Sequence, residues 1–167
     1  IIGIFKAYCT RVGSGPFPSE QDNETGERIR QLGHEFGATT GRERRCGWLD
    51  LPALKYAIMI NGVTELSMMK ADVLDQFDKI KVCTHYIHKG EKIDYFPYNI
   101  DESVEPICIE FDGWNTDLTS STESVTFPKE FTNYINFLED ELETPISIIS
   151  VGPDRKQTIY NSKYITV

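Results

Sequence analysis

The sequence predicts an α/β fold on three observations. Short apolar strands alternate with helix-patterned segments, polar motifs follow directly on three predicted strands, and glycine marks several of the junctions. In open α/β sheets, ligands sit beyond the carboxyl ends of strands. Those three motifs, after Thr10, at Lys70-Ala71-Asp72 and at Ser150-Val151-Gly152, are therefore where function is sought.

In chain order, Ile2 to Thr10 reads as a strand running into Arg11-Val12-Gly13-Ser14-Gly15-Pro16-Phe17-Pro18, whose glycines and prolines enforce a loop. Glu24 to Leu32 suits a short helix, with Asp22 or Asn23 as N-cap and Gly33 as terminator. Asp50 caps a second helix through Asn61. Its Leu51, Leu54, Ala57 and Ile58 fall at helical spacing, Pro52 sits in the tolerant first turn, and Gly62 ends it. Glu65 to Met69 is a short strand. Ile80 to Ile87 is another, and Lys89-Gly90-Glu91 turns it back as a β-hairpin with Lys92 to Phe96. Residues 97 to 127 are the least regular, with Asp112-Gly113-Trp114-Asn115 and the Ser/Thr run 119 to 124 expected as loop. Lys129 to Leu142 is an amphipathic helix, with Phe131, Ile135, Leu138 and Leu142 on one stripe. Ile146 to Ser150 is a buried strand entering the Gly152-Pro153-Asp154-Arg155 turn.

The chain has 167 residues, 40% hydrophobic and 26% charged, which suits one ordinary globular domain. Seventeen basic residues against 26 acidic ones give a net charge of −9. That field repels nucleic acid and anionic membrane, so neither is an expected partner. Any anionic ligand must be caught by a local pocket. Cys9, Cys46, Cys83 and Cys108 lie far apart with no CxxC pair, which predicts reduced thiols in a cytoplasmic protein. No stretch reaches the ~20 apolar residues of a membrane span, and no signal peptide is visible. The chain starts at Ile1 without Met and already in strand pattern, so an excised piece of a longer protein is expected.

One run departs from the acidic background. Gly33-His34-Glu35-Phe36-Gly37-Ala38-Thr39-Thr40-Gly41-Arg42-Glu43-Arg44-Arg45 holds three arginines, three glycines and two threonines. Glycine lets backbone approach a ligand closely. Arginine presents a planar fork matched to carboxylate and phosphate oxygens, and threonine adds short neutral donors. A surface ion-pair patch would not need so much glycine and threonine, and an anion-binding loop is the preferred reading.

The remaining motifs are weaker. Lys70-Ala71-Asp72 follows a strand; its carboxylate could accept the ring N–H and exocyclic amine of guanine, with the lysine stem over the base. Alone it reads better as a surface ion pair. Ser150-Val151-Gly152 has the same status, as a turn or as backbone facing a base carbonyl. His85 and His88, three apart on a strand, face opposite ways and should not share a metal. His34 is given no catalytic role. Gly13-Ser14-Gly15 lacks the Lys-Ser/Thr ending of a phosphate loop. No nucleophile arrangement appears.

Taken in order, five segments closely resemble the C-terminal part of the adenylosuccinate synthetase family. They are Thr10 to Pro18, Glu24-Thr25-Gly26, Gly37 to Asp50, Lys70-x-Asp72-Val73-Leu74-Asp75 and Ser150-x-Gly152-Pro153-Asp154-Arg155. The resemblance spans the chain nearly end to end, though residues 85 to 127 add little. It implies the C-terminal portion of a mostly parallel-sheet, nucleotide-binding ligase fold, with residues 1–167 as its substrate- and guanine-binding segment. It also implies a cytoplasmic, homodimeric, GTP-dependent enzyme that joins IMP and L-aspartate to give adenylosuccinate, GDP and phosphate. Carried over by residue, Val12, Gly13, Ala38, Thr39, Thr40, Gly41, Arg42 and Arg44 would meet aspartate and IMP. Arg44, Lys70, Ala71, Asp72, Ser150, Val151 and Gly152 would hold GTP. The family's catalytic aspartate and histidine, its glycine-rich phosphate loop and its Mg2+ ligands belong to the N-terminal half. No catalytic residue and no activity are therefore expected of this segment alone. Ala71, Val151 and Glu43 depart from the family's usual residues. The alternative is a non-catalytic nucleotide-binding or interaction module on the same scaffold.

Overall fold

Three five-residue apolar runs build a parallel sheet. In the computed structural model, which describes residues 1–101, 103–121, 126–161 and 163–164, these are β1 (Ile2–Lys6), β5 (Glu65–Met69) and β9 (Ile146–Ser150), lying in that order. Their registers, Ile4 on Ser67 and Met68 on Ile149, run the same way along the sheet. A short β10 (Thr158–Tyr160) closes the far side antiparallel to β9. Strands covered on both faces must be apolar throughout, and Leu66, Met68, Ile146 and Ile149 are fully buried.

The described residues divide into two compact units. The first comprises residues 1–7, 57–80 and 111–167; the second comprises residues 8–56 and 81–110. In the first, the helix α3 (Lys129–Leu142) buries the expected stripe of Phe131, Ile135, Leu138 and Leu142. Trp114 packs on the Phe131 ring at 4.7 Å between centroids, and Phe111 meets Tyr134 edge-on at 5.4 Å. The buried Glu139 carboxylate accepts the Ile146 N–H at 2.7 Å and the Lys163 ammonium at 2.9 Å, which ties the helix to the start of β9.

In the second unit, β2 (Cys9–Arg11) pairs antiparallel with β3 (Arg45–Gly47), with Arg11 opposite Arg45. The helix α1 (Glu24–Leu32) opens on Asn23, whose side chain accepts the Thr25 and Gly26 amides. β4 (Leu49–Asp50) runs parallel to β6 (Lys79–His88), which pairs with β7 (Glu91–Ile93) and β8 (Val104–Asp112). Asp50 caps α2 (Leu51–Asn61) as expected, its carboxylate accepting the Ala53 N–H at 3.2 Å. The same Asp50 oxygen takes the Tyr86 hydroxyl at 2.5 Å. Burial pushes the Asp50 carboxyl above its ordinary range, and these donors pull it partly back. The four cysteines are free thiols.

Several elements differ from the sequence expectation, the short β3 and β4 among them. The strand expected over Ile2 to Thr10 is two strands in two sheets, broken at Ala7 and Tyr8. Both bend residues are buried, so the apolar pattern runs on through the break. Residues 97 to 127 contain β8, nine residues long. Its internal Pro106 and its largely uncovered face hide the alternation that would mark a strand. The hairpin returns only over Glu91–Ile93, and β10 is three residues long, too short for a period to show. Of the Ser/Thr run, Leu118–Ser120 form one 3-10 turn capped by Asp117, and 122–124 lie outside the described residues.

β1 is an edge of its sheet, and Ile1, Ile2 and Ile4 are exposed along it. An uncovered apolar edge of a parallel sheet recruits further strands. The purified chain should therefore associate as its concentration rises, seen by sedimentation velocity, and Ile2→Lys with Ile4→Lys should shift it toward the monomer. A wild-type chain that stays monomeric at high concentration would contradict this.

Candidate functional site

The arginine-rich run folds as a two-legged loop between α1 and β3. Helix α1 ends at Gly33, and the chain reverses through His34 in the left-handed region (φ 49°). Phe36 and Glu43 then form an antiparallel bridge. Above that bridge the Gly37 amide donates to the Arg42 carbonyl at 2.8 Å, and the Gly41 amide to the Gly37 carbonyl at 2.8 Å. Gly41 takes φ 65°, which a side chain would resist. Ala38, Thr39, Thr40, Gly41 and Arg42 are thereby held at an exposed tip.

The three arginines are held to three different degrees. Arg45 is gripped along its whole fork: Nε donates to Glu20 Oε1 at 2.7 Å, Nη2 to Glu20 Oε2, and Nη1 to the carbonyls of Gly13 (3.1 Å) and Gly15 (2.7 Å). The Phe17 ring lies under its guanidinium at 5.7 Å. Arg44 is gripped on one edge, Nη1 donating to Glu35 Oε2 at 2.6 Å. The guanidinium of Arg42 has no partner among the described residues. Composition counted three arginines for an anion; the fold frees one, half-frees a second, and uses Arg45 to pin the 13–15 loop. Glu43 forms an ion pair with Arg30 at 3.6 Å.

Val12 and Gly13 lie just beyond β2, at the end of the ribbon where β3 begins with Arg45. Val12 is exposed, and Gly13 takes φ 83° with open space around it. The fold thus sets these two residues and Arg44 at one end of the β2–β3 pair.

In the first unit, Lys70-Ala71-Asp72 leaves β5 and Ser150-Val151-Gly152 leaves β9, at the same end of two adjacent parallel strands. Two motifs that are weak alone become neighbours. Lys70 sits in the left-handed region (φ 60°), an uncommon state for lysine. Asp72 Oδ1 is buried and finds no hydrogen-bond donor among the described residues. Burial raises the Asp72 carboxyl above its ordinary range, with Lys70 opposing the rise and Asp117 adding to it. Ala71 and Val151 are buried, the Val151 amide donates to the Gln157 carbonyl at 2.9 Å, and the Ser150 hydroxyl donates to the Gly152 carbonyl at 3.0 Å.

Sequence reasoning missed the residues that hold these loops. Glu35, Tyr8 and Glu20 carry no motif, and their roles follow from burial and long-range pairing. Asp75 was quoted only within the Lys70 motif; its carboxylate accepts Trp114 Nε1 at 2.7 Å and the Leu118 amide at 2.9 Å, fixing the loop that follows β8. Among the described residues no group of three or more His, Cys, Asp or Glu fits a metal ion. No helix among them is long and apolar enough to cross a membrane.

Fold and loops together define an α/β protein with an arginine loop in one unit and an unmatched carboxylate beside strand ends in the other. A family model described as adenylosuccinate synthetase matches residues 1–159, and the chain belongs to that family. It is 64% identical to adenylosuccinate synthetase of Phocaeicola vulgatus over 159 residues, 95% of this chain and 38% of that protein. It is 60% identical to that of Parabacteroides distasonis over the same share of each. The structure of fully ligated adenylosuccinate synthetase from Plasmodium falciparum superposes with a TM-score of 0.92 at 39% identity, covering 96% of this chain and 39% of that one. The chain thus spans somewhat over a third of the length of its curated relatives.

Two outcomes follow from the pairings. Arg45 and Glu20 are mostly buried side chains (31% and 24% exposed), so Glu20→Gln should lower unfolding stability by about 1–2 kcal/mol in urea titration. No change would make the pair an ordinary surface bridge. Asp75 titrates near pH 6 when folded, mainly because it is buried, against an ordinary value near 3.8. The folded state therefore holds this proton more tightly. The stabilisation is complete below about pH 4 and is lost as pH rises through 6. Relative to Asp75→Asn, the wild-type chain should lose stability between pH 4 and 7 in thermal melts; a constant difference would refute the shift.

Proposed function

We propose that residues 1–167 are the C-terminal substrate- and guanine-binding segment of a GTP-dependent adenylosuccinate synthetase. The complete enzyme, a cytoplasmic homodimer, joins IMP to L-aspartate in AMP biosynthesis. The γ-phosphoryl group of GTP passes to the 6-oxygen of IMP, leaving GDP. The aspartate amine then attacks that carbon and phosphate departs, giving adenylosuccinate. Thr39, Thr40 and Arg42 meet the aspartate carboxylates at the loop tip shaped by Ala38 and Gly41. Arg42 also reaches IMP beside Val12 and Gly13, and Arg44 reaches the GTP phosphates. Lys70, Ala71 and Asp72 hold guanine, with Ser150, Val151 and Gly152 on its other edge.

The observation that carries this reading is the pairing of β5 with β9, which sets both base-recognition motifs at one sheet end with Asp72 Oδ1 lacking a donor. A buried acceptor without a donor costs about 1–3 kcal/mol. The ring N–H and amine of guanine supply two donors to a carboxylate, whereas adenine offers no such pair. The tip of the arginine loop supports the anion half of the reading, since charge-assisted bonds to carboxylate and phosphate are the strong ones. The magnesium that the family's chemistry uses has no ligand cluster among the described residues. On this reading the segment alone is inactive, and its part is binding and orientation.

Guanine recognition is tested in the complete enzyme by Asp72→Asn. A carboxamide presents one acceptor and one donor, which suits xanthine's N–H and carbonyl. The GTP to xanthosine triphosphate ratio of kcat/KM should fall on the order of a hundredfold. An unchanged ratio removes Asp72 from the base site.

A further inference from the structure

We infer that Glu35 is a positioning residue: its buried carboxylate fixes one edge of the Arg44 guanidinium so that the opposite edge faces a phosphate oxyanion. Glu35 is fully buried, at 0% exposure. Its Oε1 accepts the Tyr8 hydroxyl at 2.6 Å, and its Oε2 accepts Arg44 Nη1 at 2.6 Å. Backbone bonds hold both ends of the pair. The Glu35 amide donates to the Arg30 carbonyl at 2.9 Å, and the Arg44 amide to the Glu35 carbonyl at 3.0 Å. Arg30 Nε then donates to the Arg44 carbonyl at 2.9 Å. Tyr8 reaches Glu35 by crossing Gly33, where a Cβ would lie 2.3 Å from the hydroxyl oxygen. The carboxylate is therefore fixed in place before any ligand arrives.

Arg44 differs from its neighbours in a way that matters for binding. Its side chain is 33% exposed, and Nε and Nη2 have no partner among the described residues. Arg45 has four of its five N–H groups engaged inside the protein, and the guanidinium of Arg42 has no partner among the described residues. A guanidinium clamped on one edge keeps a parallel pair of N–H groups on the other, the arrangement that meets two oxygens of a phosphate. Ordering this long side chain in advance removes much of the entropy that a ligand would otherwise have to overcome. This inference rests on the proposed contact of Arg44 with GTP phosphates.

The test is a double-mutant cycle in the complete synthetase with Glu35→Gln and Arg44→Leu. Glu35→Gln keeps the shape and an acceptor but removes the charge. It should raise KM for GTP about tenfold, with kcat changed little. Because both changes act through one guanidinium, the double variant should bind GTP no more weakly than Arg44→Leu alone. Tyr8→Phe, which loosens Glu35 without removing charge, should raise the same KM less and also be silent in the Arg44→Leu background. It decides the matter if Glu35→Gln fails to fold. If Arg44→Leu raises KM for GTP but Glu35→Gln and Tyr8→Phe leave it alone, or if their effects add to it, the positioning role is overturned while the phosphate contact stands. If Arg44→Leu leaves KM for GTP unchanged, the contact itself fails, and the inference with it.

Discussion

A carboxylate with no exposure to water has to be matched inside the protein, and Glu35 sets that demand for the whole arginine loop. Desolvating an ion costs several kcal/mol unless opposite charge and hydrogen bonds replace the lost water. Here the replacement is Arg44 on one oxygen and the Tyr8 hydroxyl on the other. Much local structure follows. The glycine at 33 gives the Tyr8 ring room to pass, the left-handed turn at His34 aims Glu35 inward, and Arg30 binds the returning leg. The base of the loop is rigid while its tip, residues 38–42, stays exposed.

The opposite imbalance occurs beside β5 and β9. There a buried carboxylate oxygen, Asp72 Oδ1, finds no donor among the described residues. Asp117 raises its carboxyl further, and Lys70 alone among the neighbouring charges relieves it. Asp75, one 3-10 turn further along the chain, differs because Trp114 and Leu118 both donate to it. Two aspartates three residues apart thus play unlike parts: one closes a loop, and the other keeps a buried oxygen without a donor among the described residues. A protein interior tolerates an unmatched acceptor where something bound supplies the match.

How much of this was legible depended on whether a signal is local. Helices α1 and α3 were readable because caps and a 3.6-residue stripe lie within a few residues of each other, and β5 and β9 because both are short, largely apolar runs. The break after Lys6 was not, since a buried bend looks like continuous strand. Nor was β8, where Pro106 and an uncovered face break the alternation. The sequence displays charge and not burial, so nothing in it singled out Glu35. It also counted Arg45 toward an anion, although Glu20, 25 positions earlier, holds it. Only the sheet makes neighbours of Lys70-Ala71-Asp72 and Ser150-Val151-Gly152, which are separated by a long stretch of chain.

The net charge of −9 makes the grading of the three arginines intelligible. A molecule of that sign offers no long-range attraction to a nucleotide or a dicarboxylate, so whatever holds such ligands must act at contact distance. Contact strength depends on how many donors meet the anion and how little order is lost when they do. Arg45, with four of its five N–H groups taken by Glu20 and two carbonyls, fixes the backbone around Gly13. Arg44, matched by one internal carboxylate, adds almost no net charge but keeps a fixed pair of N–H groups. Arg42 adds a full charge at the tip, its guanidinium without a partner among the described residues. A pinned support, a fork clamped on one edge and an unpaired cation thus give one short loop three grades of order without a net positive field around the molecule.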